Sequence, residues 1–499
     1  MKLSELIRHL PVTQEVPGDP EITAIKLDSR RVQPGTLFAA LRGEKADGNA
    51  YIDAALAQGA AAILSDREPS RKVPWLKATD ARVALALAAW MLEGRPDKKL
   101  RLIGVTGTNG KTTVSHLIQA ILNEGGPSCG LLGTITYDWG TSHVPAWRTT
   151  PEAPDLAEFF KMMVRHGLES CVMEVSSHAL ALKRVHGLEF AAAVFTNLTR
   201  DHLDFHATME NYFEAKRQLF SQLTESGGVA AVGVDDDWGS KLASLLEAHP
   251  GVKFRRFGHR ENAEVRPLGV ALDLQGIRGE IHTPSGILAL HSPLLGEPNL
   301  QNILAAIAAC EGLGIPLPQI AAGLENVTGV PGRFERIEAG QPFSVVVDYA
   351  HTDDALKNCL ATLRQLGARR LITVFGCGGG RDRGKRPLMG AVATRLSDLV
   401  ILTSDNPRDE DPLAIARDVE PGIRAELRGG KRHETILDRT AAIARALEMA
   451  RAGDVVAICG KGHETMQTIA GVDHPFNDAA AARAGLEALK AKDGLFVGQ

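Results

Sequence analysis

Paired cysteines are missing from this 499-residue chain: its 6 cysteines, at positions 129, 171, 310, 359, 377 and 459, never stand at C-x-x-C spacing. Neither a zinc knuckle nor a disulfide framework is suggested, and reduced thiols are expected. A cationic excess is missing too, because 56 Lys+Arg against 60 Asp+Glu leave a formal net charge of -4. No overall positive field gathers nucleic acid or anionic lipid, so an anionic ligand must be held by a local site. The longest apolar run, Val83 to Leu92, is too short to span a bilayer, and the opening MKLSELIRHLPVTQE has no apolar core of a signal peptide. A cytoplasmic protein with neither nucleic acid nor membrane as partner is expected. Aromatics are scarce at 5% while glycines number 50, a balance that suits α/β layers with many tight turns better than a β-sandwich. At roughly 150 residues per domain the length allows about three domains, each with enough of the 44% hydrophobic residues for a core.

The first 90 or so residues read as short strands (ITAIKL, TLFAAL, AAILSD) with apolar helices such as YIDAALAQG, closing on ARVALALAAWMLE. EGRPDKKLR carries charge, Gly and Pro without apolar periodicity and marks a boundary. Beyond it LRLIGVTG, CVMEV and AAAVFTN alternate with the helical patterns VSHLIQAILNEGG and MENYFEAKRQLFSQL, which argues for a mostly parallel sheet covered on both faces. A second boundary falls near VTGVPGRFE. After it SVVVDYAH, RLITVFGCGGG, DLVILTSDN and DVVAICGKG each end in a Gly-rich or polar loop, where a doubly wound sheet binds its ligands. The expected domains are residues 1–97, 98–330 and 331–499.

GVTGTNGKTT, Gly104 to Thr113, lies between an apolar strand and an amphipathic helix. Gly107, Thr108, Asn109 and Gly110 would let backbone N–H groups approach phosphate oxygens; Lys111 would reach the terminal phosphates, and Thr112 or Thr113 would place a hydroxyl on Mg²⁺. Val105 stands where the first glycine of G-x-x-x-x-G-K-[ST] belongs, so a plain strand-to-helix turn is the competing reading. Glu174 closes the next strand, either holding Mg²⁺ or facing solvent. Asp201, His202, Asp204 and His206 crowd six positions, as metal ligands or as a hydrogen-bonded loop. Lys216 shares a helical stripe with Met209, Tyr212, Phe213, Leu219 and Phe220, so its ammonium either snorkels from the edge or is buried and paired or chemically changed.

G-T-N-G-K-T-T resembles the phosphate loop of the Mur ligase superfamily, which also includes folylpolyglutamate synthetase, and further segments resemble that family across the whole chain. The resemblance implies a three-domain α/β fold: a small N-terminal domain for a UDP-sugar, a central P-loop-type domain for ATP, and a Rossmann-like C-terminal domain for an amino acid. It implies an ATP-dependent, ADP-forming carboxylate-amine ligase working through an acyl phosphate. His202 matches the histidine of a D-H-L-D loop at the second metal site. Glu214-Ala215-Lys216 matches the segment whose lysine is carbamylated with CO2 and helps position Mg²⁺. Lys111, Lys216, His202 and Glu174 are thus the expected catalytic set, with Thr112, Glu174, His202 and Lys216 at the metal. Asn299 and Asn302 match the adenine-side asparagines, with Pro298 in place of the usual aromatic; Asn299 also reads as a helix cap. Arg333 and Asp348 match residues that meet ATP.

The third domain carries the basic run Arg381, Arg383, Lys385, Arg386, a ligand edge or a solvated face, and the tetrad Asp405-Asn406-Pro407-Arg408. An arginine fork suits a carboxylate and Asp and Asn suit an ammonium group, although the tetrad is also a turn signal. It resembles the family branch that adds meso-diaminopimelate, and with Arg381, Gly460 and Glu464 it implies that pocket. Leu27, Ser29 and Ala46 match UDP-binding elements; Glu44 and Lys45 depart from them. Thr149, Thr150, Ser176 and Arg184 match positions that hold a UDP-muramoyl dipeptide, whereas Arg148 and Leu182 do not. The implied enzyme is a monomer in peptidoglycan precursor synthesis with small-molecule substrates. The rivals are the lysine-adding branch, folylpolyglutamate synthetase, and a P-loop switch that only hydrolyses nucleotide.

Overall fold

The computed structural model describes residues 1–493 except 17, 44–45, 127, 226 and 248–250. Strands β1 (Val12–Val16), β2 (Ala24–Lys26), β3 (Thr36–Ala39), β4 (Ala60–Ser65) and β5 (Trp75–Ala78) form one sheet in the order β1-β5-β4-β3-β2. Only its β1–β5 pair is antiparallel. Successive side chains face opposite sides, so Leu37, Leu64 and Leu76 pack with Trp90 of helix Ala81–Leu92, while Phe38, Ile63 and Trp75 pack with Ile52.

The second sheet holds β6 (Arg101–Thr106), β7 (Cys129–Leu132), β8 (Thr136–Asp138), β9 (His143–Pro145), β10 (Ser170–Glu174), β11 (Ala192–Phe195), β12 (Val229–Gly233) and β13 (Lys253–Phe257), in the order β13-β12-β11-β6-β10-β7-β8-β9. Its first six positions run parallel, and the runs of buried residues in all of these but the edge strand β13 match a sheet covered on both faces. β6 lies between β11 and β10. Phe195 pairs with Thr106 and Glu174 with Val105, so three strand ends meet at one place. β14 (Arg266–Asp273), β15 (Gly276–Thr283) and β16 (Gly286–Ser292) add a three-stranded sheet that the sequence patterns did not suggest.

The last large sheet orders β17 (Glu335–Arg336), β18 (Ser344–Asp348), β19 (Leu371–Phe375), β20 (Leu399–Leu402), β21 (Arg432–Thr435) and β22 (Val455–Cys459) as β17-β18-β22-β19-β20-β21, parallel except for β17. Val346, Phe375 and Ala457 face helices Asp353–Gln365, Lys385–Leu396 and Pro412–Glu426; Val345, Val374 and Ile458 face helices Arg439–Met449 and Asp478–Asp493. The hairpin β23 (Met466–Ile469) and β24 (Val472–Pro475) follows. The fold is therefore mixed α/β with mostly parallel sheets. It divides into two compact units: Met1–Arg266 with His282–Leu288 and Gln301–Gly323, and Pro267–Ile281 with Ala289–Leu300 and Leu324–Gln499. The six cysteines are free and buried. No described helix is long and apolar enough to cross a membrane.

Candidate active site

At the end of β6 the chain turns through Gly107 (φ 147°) and Gly110 (φ 87°) into helix Lys111–Leu122. Both glycines are required sterically as well as by backbone angle. A Cβ on Gly107 would lie 1.9 Å from Thr196 Oγ1, and one on Gly110 would lie 2.2 Å from Asn302 Oδ1. The segment after β11 holds the loop: Thr196 Oγ1 donates to the Asn109 carbonyl (2.6 Å) and Asn109 N donates to Asn197 Oδ1 (3.0 Å). Thr108 Oγ1 lies 3.2 Å from Tyr212 Oη. Lys111 Nζ folds over the loop, donating to the carbonyls of Gly107 (3.0 Å) and Thr108 (2.9 Å), and Thr112 and Thr113 are buried in the first helical turn.

Lys216, on helix Met209–Arg217, is 1% exposed. Its Nζ donates to the Gly107 carbonyl (2.7 Å) and lies 4.6 Å from the centre of the Tyr212 ring. Burial, reinforced by the nearby Lys111 charge, holds this amine well below the usual lysine range. The stripe position thus means full burial and not snorkelling from an edge. Glu174 is also 1% exposed; Oε1 accepts from Thr134 N (2.7 Å) and Oε2 from Thr134 Oγ1 (2.9 Å). His202, in a left-handed conformation (φ 52°), begins the short helix Leu203–His206 and stacks edge-on with His178 at 4.8 Å. Burial lowers its pKa, opposed by Asp201 and reinforced by Lys111 and Lys216. Among the described residues no group of three or more His, Cys, Asp and Glu is arranged to hold a metal ion.

Thr150 Oγ1 donates to the Glu174 carbonyl (2.9 Å) and accepts from Ser176 N (3.1 Å), while Thr149 Oγ1 lies 3.1 Å from Thr134 Oγ1. Arg184 Nη1 donates to the Thr150 carbonyl (3.1 Å), and Glu152 Oε1 lies 2.9 Å from Arg184 Nε and 2.7 Å from Arg148 Nη1. Leu27 and Asp28 line a shallow cavity with Trp147, Arg148 and Glu152. Ser29 is buried in the turn that Asp28 caps, and Ala46 is exposed. Glu44 and Lys45 lie outside the described residues. A larger cavity, lined by Lys183, His186, Gln218 and Gln222 among others, contains none of the residues singled out from sequence.

In the second unit, Asp405 to Arg408 follow β20 with Asp405, Asn406 and Pro407 buried and Arg408 in a left-handed conformation (φ 55°). Arg408 Nη1 donates to the Gly379 carbonyl (2.7 Å), and Asn406 Nδ2 donates to Glu464 Oε2 (2.7 Å). Gly460 (φ 120°) makes room for Asp405, whose Oδ2 lies 2.8 Å from where a Cβ would stand. Burial pushes the Asp405 carboxyl up, against the pull of Arg439 and Lys461. Arg381 is exposed on its loop, whereas Arg386 is fully buried and tied to Glu410 (3.0 Å) and Asp418 (2.8 Å), so at Arg386 the basic run is a buried ion-pair network and neither a ligand edge nor a solvated face. Arg333 lies 4.7 Å from the centre of the Tyr349 ring, and Asp348 accepts from Phe334 N (2.8 Å) and Ala350 N (2.9 Å). Asn299 is the third residue of helix Glu297–Gly312 and not its cap; its Nδ2 donates to the Leu295 carbonyl (3.0 Å). The loops of Gly332 and Glu464 touch closely: a Cβ on Gly332 would lie 2.0 Å from His463 N.

Sequence reading missed Lys461 and the β23–β24 hairpin. Gln467 Nε2 donates to the Asp405 carbonyl (2.7 Å), Thr468 N to Asn406 Oδ1 (3.1 Å), and Arg408 N to the Thr468 carbonyl (3.0 Å). The only signal was a pair of short runs around Ala470-Gly471, too short to separate from a loop. His463 is largely buried, and burial with the Arg333 charge lowers its pKa to about 4. The unfolded chain therefore binds this proton more readily, so stability is complete above about pH 6.5 and falls as the pH drops through that value towards 4. Urea midpoints at pH 7 and pH 5 should differ less in His463→Gln than in the parent; an unchanged difference would remove His463 from the account.

Comparison with known proteins gives three family-model matches: "Mur ligase family, catalytic domain" over residues 21–91, "Mur ligase middle domain" over 105–310, and "Mur ligase, glutamate ligase domain" over 332–462. The UDP-N-acetylmuramoyl-L-alanyl-D-glutamate–2,6-diaminopimelate ligase of Geobacillus kaustophilus is 47% identical over 98% of this chain and 99% of its own. Its counterpart in Solibacter usitatus is 46% identical over 97% and 98%. A solved structure described by the same enzyme name is 36% identical, covers 94% of this chain and 95% of its own, and superposes with a TM-score of 0.69.

Proposed function

The chain belongs to the Mur ligase family, and from that premise we propose that it is an ATP-dependent, ADP-forming ligase joining meso-diaminopimelate to the D-glutamate γ-carboxylate of UDP-N-acetylmuramoyl-L-Ala-D-Glu. The observation that carries this reading is the 47% identity over 98% of the chain to a ligase named for that reaction, a span that includes the phosphate loop and the Asp405–Arg408 tetrad. The reading sets the enzyme in the cytoplasm, as a monomer, in peptidoglycan precursor synthesis. Its expected domains remain residues 1–97, 98–330 and 331–499.

A carboxylate oxygen is a poor leaving group. Transfer of the ATP γ-phosphoryl group onto it gives ADP and an acyl phosphate, whose phosphate leaves readily. The diaminopimelate amine then attacks the carbonyl carbon, a C–N bond forms, the C–O bond to phosphate breaks, and the amine proton passes to a base. The chain's contribution is positioning and charge neutralisation. In this reading the backbone N–H groups of Gly107 to Gly110 cradle phosphate, Lys111 turns from the loop carbonyls to the terminal phosphates, and Asn299, Asn302, Arg333 and Asp348 hold the rest of the nucleotide. Thr149, Thr150, Ser176 and Arg184 hold the dipeptide; Leu27, Ser29 and Ala46 hold the UDP end. Arg381, Asp405 to Arg408, Gly460 and Glu464 receive the acceptor.

Mg²⁺ takes hard oxygen donors, which Thr112 and Glu174 would offer, and in this reading His202 would add its imidazole. Lys216 fits only if modified. Its buried amine is biased to the neutral, nucleophilic form, so its nitrogen can bond to the carbon of CO2 and release one proton, giving a carbamate anion. When bound, the cation neutralises phosphate charge in the transfer.

The test is phosphate release from ATP with the UDP-muramoyl dipeptide and either meso-diaminopimelate, lysine or no acceptor. Release that requires diaminopimelate supports the reading. Equal turnover with lysine would overturn the assignment of Arg408, and release indifferent to any acceptor would leave only a nucleotide hydrolase.

A further inference from the structure

Lys461 sits in the loop after β22, between Gly460 and Gly462 (φ 55°), and its side chain is completely buried. An ammonium group has three N–H donors, and all three are used: Nζ donates to Asn406 Oδ1 (3.0 Å), Glu464 Oε2 (2.8 Å) and the Met466 carbonyl (2.7 Å). Burial of this charge is tolerable because Glu464, 31% exposed, supplies the counter-charge at the edge of the site. Two consequences follow for the neighbours. The Asn406 amide is oriented, because its Oδ1 faces Lys461 and Thr468 N (3.1 Å), which turns its Nδ2 towards Glu464 (2.7 Å). The Glu464 carboxylate receives both donors on Oε2, which leaves Oε1 to accept from a ligand.

We infer that Lys461 is a positioning and specificity-determining residue of the acceptor pocket: it aims Glu464 Oε1 at an ammonium group and balances the acidic pair Asp405 and Glu464. The inference rests on the acceptor reading proposed above. With Lys461 in place, the carboxylates of Asp405 and Glu464 are set against Lys461, Arg408 and Arg381, and the pocket matches a zwitterionic end bearing both ammonium and carboxylate. Without it the pocket gains one net negative charge and favours a bare ammonium. Diaminopimelate ends in the first kind of group and lysine in the second. Lys461 thus works against lysine by its charge, whereas Arg408 selects the carboxylate by contact.

The experiment compares the parent enzyme with Lys461→Met and Lys461→Gln in steady-state phosphate release. Parent turnover with diaminopimelate is measured first, and its absence would refute the acceptor reading itself. Given that turnover, Lys461→Met should raise KM for diaminopimelate about tenfold or more, the scale of a lost hydrogen bond to a charged group. KM for ATP and for the UDP-dipeptide should stay unchanged, and the preference for diaminopimelate over lysine should fall. Lys461→Gln keeps two N–H donors without the charge; if the methionine variant does not fold, it carries the test, with the same fall in preference expected. A uniform loss of kcat with an unchanged preference and unchanged KM for diaminopimelate would overturn the inference and leave Lys461 a structural residue only.

Discussion

Lys216→Ala is expected to lose phosphate release by about a thousandfold or more, the scale of losing one pre-organised group that acts on phosphoryl-transfer charge, while its melting temperature stays close to that of the parent. Nothing in the geometry suggests a structural role large enough to explain such a loss. The amine makes one hydrogen bond, to the Gly107 carbonyl, and among the described residues no carboxylate pairs with it. A cation there would be desolvated and repelled by Lys111, which is why the amine is held well below its ordinary range. As a carbamate the same residue is an anion beside Lys111, and repulsion turns to attraction. A small carboxylate such as acetate should therefore restore part of the activity of Lys216→Ala by taking the carbamate's place. Full activity of the unrescued variant would refute the modified lysine.

The largest effect on stability is expected at the ion pair of Arg439 and Asp478. Both side chains are fully buried and meet in a fork, Nε to Oδ1 and Nη2 to Oδ2, each at 2.7 Å. Arg439 also donates to the carbonyls of Ser404 (3.2 Å) and Cys459 (3.0 Å), which lie beyond the ends of β20 and at the end of β22. Asp478→Ala leaves a guanidinium buried without its counter-charge, at a cost of about 3–5 kcal/mol. Replacing both partners, Arg439→Met with Asp478→Leu, removes both buried charges and should cost less than Asp478→Ala alone. Urea unfolding of the three proteins decides it. A single-variant loss below about 1 kcal/mol, the range of an exposed pair, would mean that water reaches the site.

The phosphate loop was legible because its signal is local: an apolar strand, glycines and an amphipathic helix follow one another directly in sequence. Lys216 was legible for a related reason, since 3.6-residue periodicity shows which face a residue shares, and Tyr212 and Phe213 are indeed buried beside it. What stayed hidden depends on distant partners. β1 and β5 are short strands whose pairing joins residues far apart in the chain, as in Val12 with Ala78. Lys461 lies between two glycines in a turn with no periodicity, so nothing local separates a buried lysine from a solvated one. The start of helix Glu297–Gly312 two residues ahead of Asn299 was obscured by Pro298, which is tolerated in a first helical turn. At the active site the sequence named residue types, but the convergence of Glu174 and Thr196 on the loop comes from β6 lying between β10 and β11.

The close approach of Gly332 to His463 has a further consequence. The loop bearing Arg333 and the loop bearing Glu464 leave no room for one to shift against the other, since even a single added methyl group would overlap the neighbouring backbone. Any side chain at Gly332 would push on the backbone of the Glu464 loop, so a substitution made beside Arg333 would be felt at Glu464 as well.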